Sequence, residues 1–188
     1  MGPIGVGAGD REQTALRRPP VRSRDDEFAE FFTARFDFAR RIAYSLCRDW
    51  DEAEEIAQAA FVRIYSRWNR VRRDGADAYL RMVVTRGFLD NHRRGRARER
   101  AVAEPPDRPA PTEAAGGEPL AEALRRVPPK QRAVLVLRFV QDLSVEQTAE
   151  TLGCSAGNVK SQTMRGLHTL RAAYQELTGE PLAAMRKG

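Results

Sequence analysis

The chain has 188 residues, with 32 Lys plus Arg against 26 Asp plus Glu, a formal charge of +6 and a pI near 9.9. That length suits one or two small domains with modest cores and excludes one large enzyme, while the basic balance favours an anionic partner without making the whole chain a polycation. No apolar run approaches the roughly 20 residues that span a bilayer, no basic-then-apolar secretion pattern opens the chain, and Cys47 and Cys154 lie far apart without metal-ligand neighbours. The expectation is a cytoplasmic protein with free thiols and no disulfide, zinc site or membrane insertion.

Residues 1–26 are rich in Gly, Pro and Arg with no apolar period, the composition of a disordered lead-in. From Phe28 the pattern turns helical. Phe28, Phe31, Phe32, Ala39, Ile42, Ala43 and Leu46 recur at spacings of three and four, which fits two helices or one bent helix. After a break at 47–51, Asp51 and Glu54 resemble a capping box that opens a helix over Asp51 to Trp68. Its core face is Ala53, Ile56, Ala57, Ala60, Phe61, Ile64, Tyr65 and Trp68. Its other face, with Glu52, Glu55, Gln58, Ala59, Val62 and Arg63, is either simply solvated or a protein-docking surface.

Residues 69–77 are charged and contain glycine, as a loop would. Tyr79, Leu80, Val83, Val84, Phe88 and Leu89 then mark an amphipathic helix that runs into HRRGRARER at 92–100, where Arg93 and Arg94 are candidate phosphate contacts. With Trp68, Tyr79 and Phe88 nearby, this tract suggests a positive groove offering ring faces to unstacked bases. Charge is unevenly distributed. Residues 81–100 carry 7 basic and 2 acidic side chains, 101–118 carry 1 and 4, and 119–175 carry 8 and 4, so two basic contacts are expected across an acidic linker at 101–118.

The second unit begins near Pro119. Leu120, Ala123, Leu124 and Val127 form a short helix stopped by Pro128, and Pro129 starts another with Val134, Leu135, Leu137 and Phe139 inward. Residues 143–171, LSVEQTAETLGCSAGNVKSQTMRGLHTLR, complete a helix-turn-helix. Ser144 and Gln147 form a capping box, Ala149 permits close helix approach, Gly153 supplies the turn, and Ser155 caps a second helix packed through Val159, Gly166, Leu167 and Leu170. Asn158, Lys160, Ser161, Gln162, Met164 and Arg165 are left outside, where amide and cationic groups meet base edges and phosphates in a major groove.

Two stretches, DWDEAEEIAQAAFVRIYSRW at 49–68 and LRRVPPKQRAVLVLRFVQDLSVEQTAETLGCSAGNVKSQTMRGLHTLR at 124–171, resemble regions two and four of an extracytoplasmic-function (group IV) RNA polymerase sigma factor of the sigma-70 family. The resemblance covers roughly residues 28–174. It implies an all-α fold of two small helical domains joined by a flexible linker: a disordered segment at 1–26, region two at 27–100, linker at 101–118, region four at 119–175 and tail at 176–188. It also implies a sigma factor that binds core RNA polymerase, through the β′ clamp and the β subunit, and directs promoter-specific initiation. Glu55 and Gln58 correspond to the docking positions, Asn69 to Asp77, Tyr79 and Arg86 to the minus-ten reader, and Arg138, Lys160, Ser161, Met164 and Arg165 to the minus-35 reader. An anti-sigma factor is the implied regulatory partner, and no catalytic residue, metal or cofactor is implied.

Two positions depart from the family pattern: Ala59 stands where an acidic residue is usual, and Val84, Thr85 and Arg86 stand where Ala-Arg-Asn is common. Two other readings compete, a stand-alone helix-turn-helix regulator and a nucleic-acid enzyme. The second is weak, because His92 and His168 are isolated and neither a carboxylate cluster nor a phosphate loop is present.

Overall fold

The computed structural model describes residues 23–71, 75–101 and 118–182, and every regular element among them is helical. The expected lead-in up to residue 22, the linker at 102–117, the charged residues 72–74 and the end of the tail at 183–188 lie outside the described residues. Helix α1 is a single helix, Arg24–Cys47. It starts inside the segment expected to be disordered, because the Ser23 hydroxyl accepts from the Asp26 N–H at 3.1 Å and the Asp26 carboxylate accepts from the Ser23 N–H at 3.2 Å. That reciprocal box satisfies two orphan donors, and Asp25, Asp26 and Glu27 place negative charge at the positive helix end.

Helix α2, Trp50–Tyr65, corrects the expected cap. Arg48 adopts the left-handed conformation with φ 62° and ends α1, leaving Asp49 extended, and the Asp49 carboxylate accepts from the Glu52 N–H at 2.9 Å. Asp51 already lies in the first turn, so it cannot cap with Glu54. The helix also ends earlier than expected: Trp68–Arg70 forms a separate 3-10 turn, and Tyr65 faces solvent, donating its hydroxyl to Asp25 at 2.9 Å. Helix α3, Ala76–Ala101, continues without a break through the basic tract.

These three helices share a core of Ile42, Leu46, Ile56, Phe61, Ile64, Leu80, Val84 and Phe88, flanked by the rings of Phe28, Phe31 and Trp68. Buried apolar surface of this kind supplies the main favourable free energy of the unit. Cys47 is buried at its rim and donates to the Asp49 carbonyl at 3.1 Å, and burial is the chief cause that pushes its pKa up to about 11.

The second unit comprises α4 (Pro119–Arg126), α5 (Pro129–Leu135), α6 (Val145–Leu152) and α7 (Ala156–Thr178), with a five-residue π-helical segment, Val136–Val140, after α5. Both prolines open their helices where the missing N–H costs nothing. Val127, Leu135, Leu170 and Ala173 form one cluster, and Val134, Ala149 and Val159 another. Phe139, expected inward, is only partly buried.

The two units form one body. Ala133 and Val136 of the second unit belong to the same buried cluster as the core of the first, and α3 packs directly on α6. Leu124 and Leu152 of the second unit also pack against this shared core.

Two outcomes test this packing. Ser144→Ala removes one half of the α6 capping box and should cost about 1 kcal/mol, lowering the thermal midpoint by about 2–4 °C for a chain of this size. A thiol reagent at pH 8 should modify Cys154 in the folded chain and reach Cys47 only on addition of denaturant, because a thiol titrating near 11 remains protonated there.

Candidate nucleic-acid and protein interface

The helix-turn-helix is built as its local residues require. The Ser144 hydroxyl accepts from the Gln147 N–H at 3.0 Å, and the Gln147 side chain accepts from the Ser144 N–H at 2.8 Å. Gly153 ends α6 with φ +67°, a conformation that favours glycine. Ser155 caps α7 by accepting from the Asn158 N–H at 3.2 Å. Val159, Gly166 and Leu170 are buried beneath α7, and Gly166 is held close to Leu135 and Gln131, where an added Cβ would lie 3.1 Å from the Leu135 side chain.

Consequently Asn158, Lys160, Ser161, Met164 and Arg165 share the exposed side of α7, and Met164 is 74% exposed. Arg138 is half-buried and donates to the Leu143 carbonyl, which fastens the π-helical segment to the start of α6. Glu146 lies near Lys160 and Arg138, and its own backbone N–H, with help from the Ser144 hydroxyl, holds its carboxyl below the usual range. The recognition surface is therefore mixed in sign at one edge.

On the first unit, Glu55, Gln58, Ala59, Val62 and Arg63 are exposed along α2, with Gln58 donating to Glu54 at 3.3 Å. Val62 is 70% exposed, a large apolar side chain in the middle of a polar face. Asn69, Arg86, Arg93 and Arg94 are exposed, Arg93 pairing with Asp90 at 3.4 Å, while Tyr79 is half-buried against the core. Of the residues that depart from the family pattern, Val84 and Thr85 are fully buried, while Ala59 and Arg86 reach solvent.

Two of the three aromatics expected to offer ring faces to unstacked bases are covered. Trp68 is enclosed by Phe28 and Phe31, and Phe88 is buried beneath His92 and Arg132, so both aromatics serve the core. His92 is half-buried within α3, with its ring 4.6 Å from that of Phe88. His168 is exposed on α7. Among the described residues, no group of three or more His, Cys, Asp or Glu is arranged to hold a metal ion, and no helix is long and apolar enough to cross a membrane.

Two arginines escaped the sequence reading. Arg132 is 6% exposed and Arg125 half-buried, and both donate across the junction between units, Arg132 to the Leu46 carbonyl at 2.8 Å and Arg125 to the Arg48 carbonyl at 2.9 Å. Arg132 also donates to the Arg125 carbonyl at 2.7 Å and to the Val127 carbonyl at 3.2 Å. Burial lowers its pKa, but a guanidinium stays charged. The available signal was its register: Arg132 falls three before Leu135 and four before Val136, on a face that is otherwise apolar.

The chain matches the family descriptions "Sigma-70 region 2" over residues 31–98 and "Sigma-70, region 4" over residues 117–170. It is 36% identical over 162 residues to the RNA polymerase sigma-E factor of Streptomyces coelicolor, covering 84% of this chain and 90% of that one. It is 34% identical over 145 residues to the ECF RNA polymerase sigma factor SigE of Mycolicibacterium smegmatis, covering 72% of this chain and 56% of that one. In fold it is similar to the sigma factor RpoE of Bartonella quintana, solved in complex with the anti-sigma factor NepR, with TM-score 0.61, 21% identity and coverage of 79% and 97%. The order of the two matched regions, and the identity shared with the Streptomyces protein over most of both chains, make this chain a member of the extracytoplasmic-function group of the sigma-70 family.

Proposed function

We propose that the chain is a promoter-specificity subunit: it binds core RNA polymerase through its first unit and directs initiation at promoters with a minus-ten and a minus-35 element. The observation that carries this reading is the coexistence, on one chain, of an exposed helix-turn-helix face and a separate exposed acidic and apolar face on α2. A stand-alone regulator needs only the first. Residues 27–100 act as region two, 101–118 as linker and 119–175 as region four. The protein works in the cytoplasm, where polymerase and promoter are, and performs no catalysis of its own.

Glu55 and Gln58, with Val62 exposed between them and Arg63, dock on the β′ clamp. Asn69, Arg86, Arg93 and Arg94 line the path of the melted strand, with Tyr79 supporting them from the half-buried side. Opening a duplex costs about 1.4 kcal/mol per step in stacking alone, and capture of an extruded base in a protein pocket recovers part of it. On α7, Lys160 and Arg165 reach phosphates or guanine edges, Asn158 and Ser161 supply neutral hydrogen bonds, and Met164 offers only apolar contact, as to a thymine methyl. Arg138 contributes by holding the entry to α6 in place. An anti-sigma factor is the regulatory partner that fits this family, as NepR is for the Bartonella protein.

Two measurements test the assignment. Glu55→Arg reverses charge on the docking face and should lower affinity for core polymerase about tenfold, a change of 1.4 kcal/mol, in competition against wild type; equal competition removes Glu55 from the interface. Lys160→Ala or Arg165→Ala should flatten run-off transcription across minus-35 variants by about 1–3 kcal/mol of discrimination while core binding stays intact, and unchanged discrimination contradicts the role given to α7.

A further inference from the structure

We propose that a cavity beside Arg48 binds a small aromatic carboxylic acid, which lays a single ring among apolar side chains of α4, the π-helical segment and α7 and sets its carboxylate on the Arg48 guanidinium. Such a site is independent of the function proposed above.

Two openings differ in what they can select. An open cleft of about 1030 Å3 lies between Asp49, Glu52 and Glu55 and the cations Arg125, Arg126 and Arg132, so both signs of charge face it and no ligand class is favoured. The other is small and apolar. It holds about 140 Å3 and is lined by Leu120, Leu124, Leu135, Val136, Phe139 and Leu170, with Arg48 beside them. An apolar cavity of about 150 Å3 accommodates one benzene ring. The apolar part of a ligand is thereby limited to a single ring or a group of similar bulk.

Backbone that departs from the regular helix borders this cavity. The Gln141 N–H reaches back five residues to the Val136 carbonyl at 2.9 Å, which gives the π-helical segment Val136–Val140. Such turns are rare and are found mostly at functional sites. Phe139, which periodicity places inward, is only partly buried, and Val140 is 56% exposed; both line the cavity. In a closed core these side chains would be covered, whereas here they border an opening.

Arg48 supplies the polar half. Its guanidinium lies over the Tyr44 ring at 5.0 Å, and Tyr44 is stacked on Trp50 at 4.0 Å, so a rigid aromatic pair holds the side chain from one side. Its Nε is buried and has no hydrogen-bond partner. A buried donor left unpaired costs free energy, and a carboxylate offers two oxygens in the geometry that a guanidinium fork accepts. The backbone of Arg48 adds a cost, because φ 62° is a conformation that few residues other than glycine adopt. Glycine would end α1 there without strain, so the helix end itself does not require an arginine. Glu118 also lines the cavity, but it is exposed and can turn toward water. An uncharged ring leaves the Arg48 Nε unpaired and a cationic one opposes it; the carboxylic acid satisfies both the ring-sized space and the donor.

The test is a titration of the full chain with sodium benzoate, followed by methyl NMR. Signals of Leu120, Leu135, Val136 and Leu170 should shift and saturate, while those of Ile42 and Ile64 in the core of the first unit stay in place. Arg48→Gly keeps the left-handed helix end and removes the guanidinium; it should weaken benzoate about tenfold, the loss expected for one charged hydrogen bond. Benzyl alcohol, the same ring without the charge, should bind wild type and Arg48→Gly equally. Ala121→Leu narrows the cavity and should abolish saturation by both compounds, with thermal midpoints confirming that each variant is folded. Absence of saturable shifts at these methyls overturns the site, whether another segment of the chain fills the cavity or it stays empty. Equal benzoate affinity in wild type and Arg48→Gly also overturns it, as do the same shifts produced by acetate, which would mark general anion binding by a basic chain.

Discussion

A buried guanidinium has five donors and no acceptor, and each donor left unpaired away from water carries a desolvation cost. Arg132 meets that constraint with backbone carbonyls of Leu46, Arg125 and Val127, one from across the junction and two from its own unit. A helix end supplies such acceptors without needing any particular side chain. The surplus of carbonyls at the end of α1 and the surplus of donors on α5 therefore resolve one another. Much else follows from that docking. Arg48 ends α1 in the left-handed region, Asp49 becomes extended and caps α2, and the first turn of α2 carries its acids to the edge of the cleft.

Local chemistry was legible in the sequence and tertiary chemistry was not. The capping box at Ser144, the turn at Gly153 and the cap at Ser155 depend on residues within a few positions of one another, and the exposed face of α7 follows from a 3.6-residue period. The start of α2 was misplaced because Asp-x-x-Glu occurs twice, at 49–52 and 51–54; the left-handed Arg48, set by the end of the preceding helix, selects the first. Trp68 and Phe88 have the same composition signal whether their rings are open or covered, and only the packing of Phe28, Phe31 and Arg132 decides it. The long-range hydrogen bonds of Arg125 and Arg132 link residues 77 and 86 positions apart, beyond any periodicity.

The surface distributes two kinds of information. In the proposed role, Lys160, Arg165, Arg93 and Arg94 would supply attraction to phosphates that salt screens, while Met164, Asn158 and Ser161 would supply contacts that depend on which base is present. Val62 provides neither. In the proposed role, this aliphatic side chain, exposed beside Gln58, Ala59 and Arg63 on α2, would be the apolar centre of a protein contact with a polar rim.

The half-exposed position of Arg125 has a consequence for how the junction between the units can vary. Its guanidinium reaches the Arg48 carbonyl from the edge of the cleft, so its replacement removes one hydrogen bond and leaves the buried Arg132 and the apolar contacts in place. The fit of one unit on the other is thereby open to small adjustment at a position apart from the exposed faces of α2 and α7.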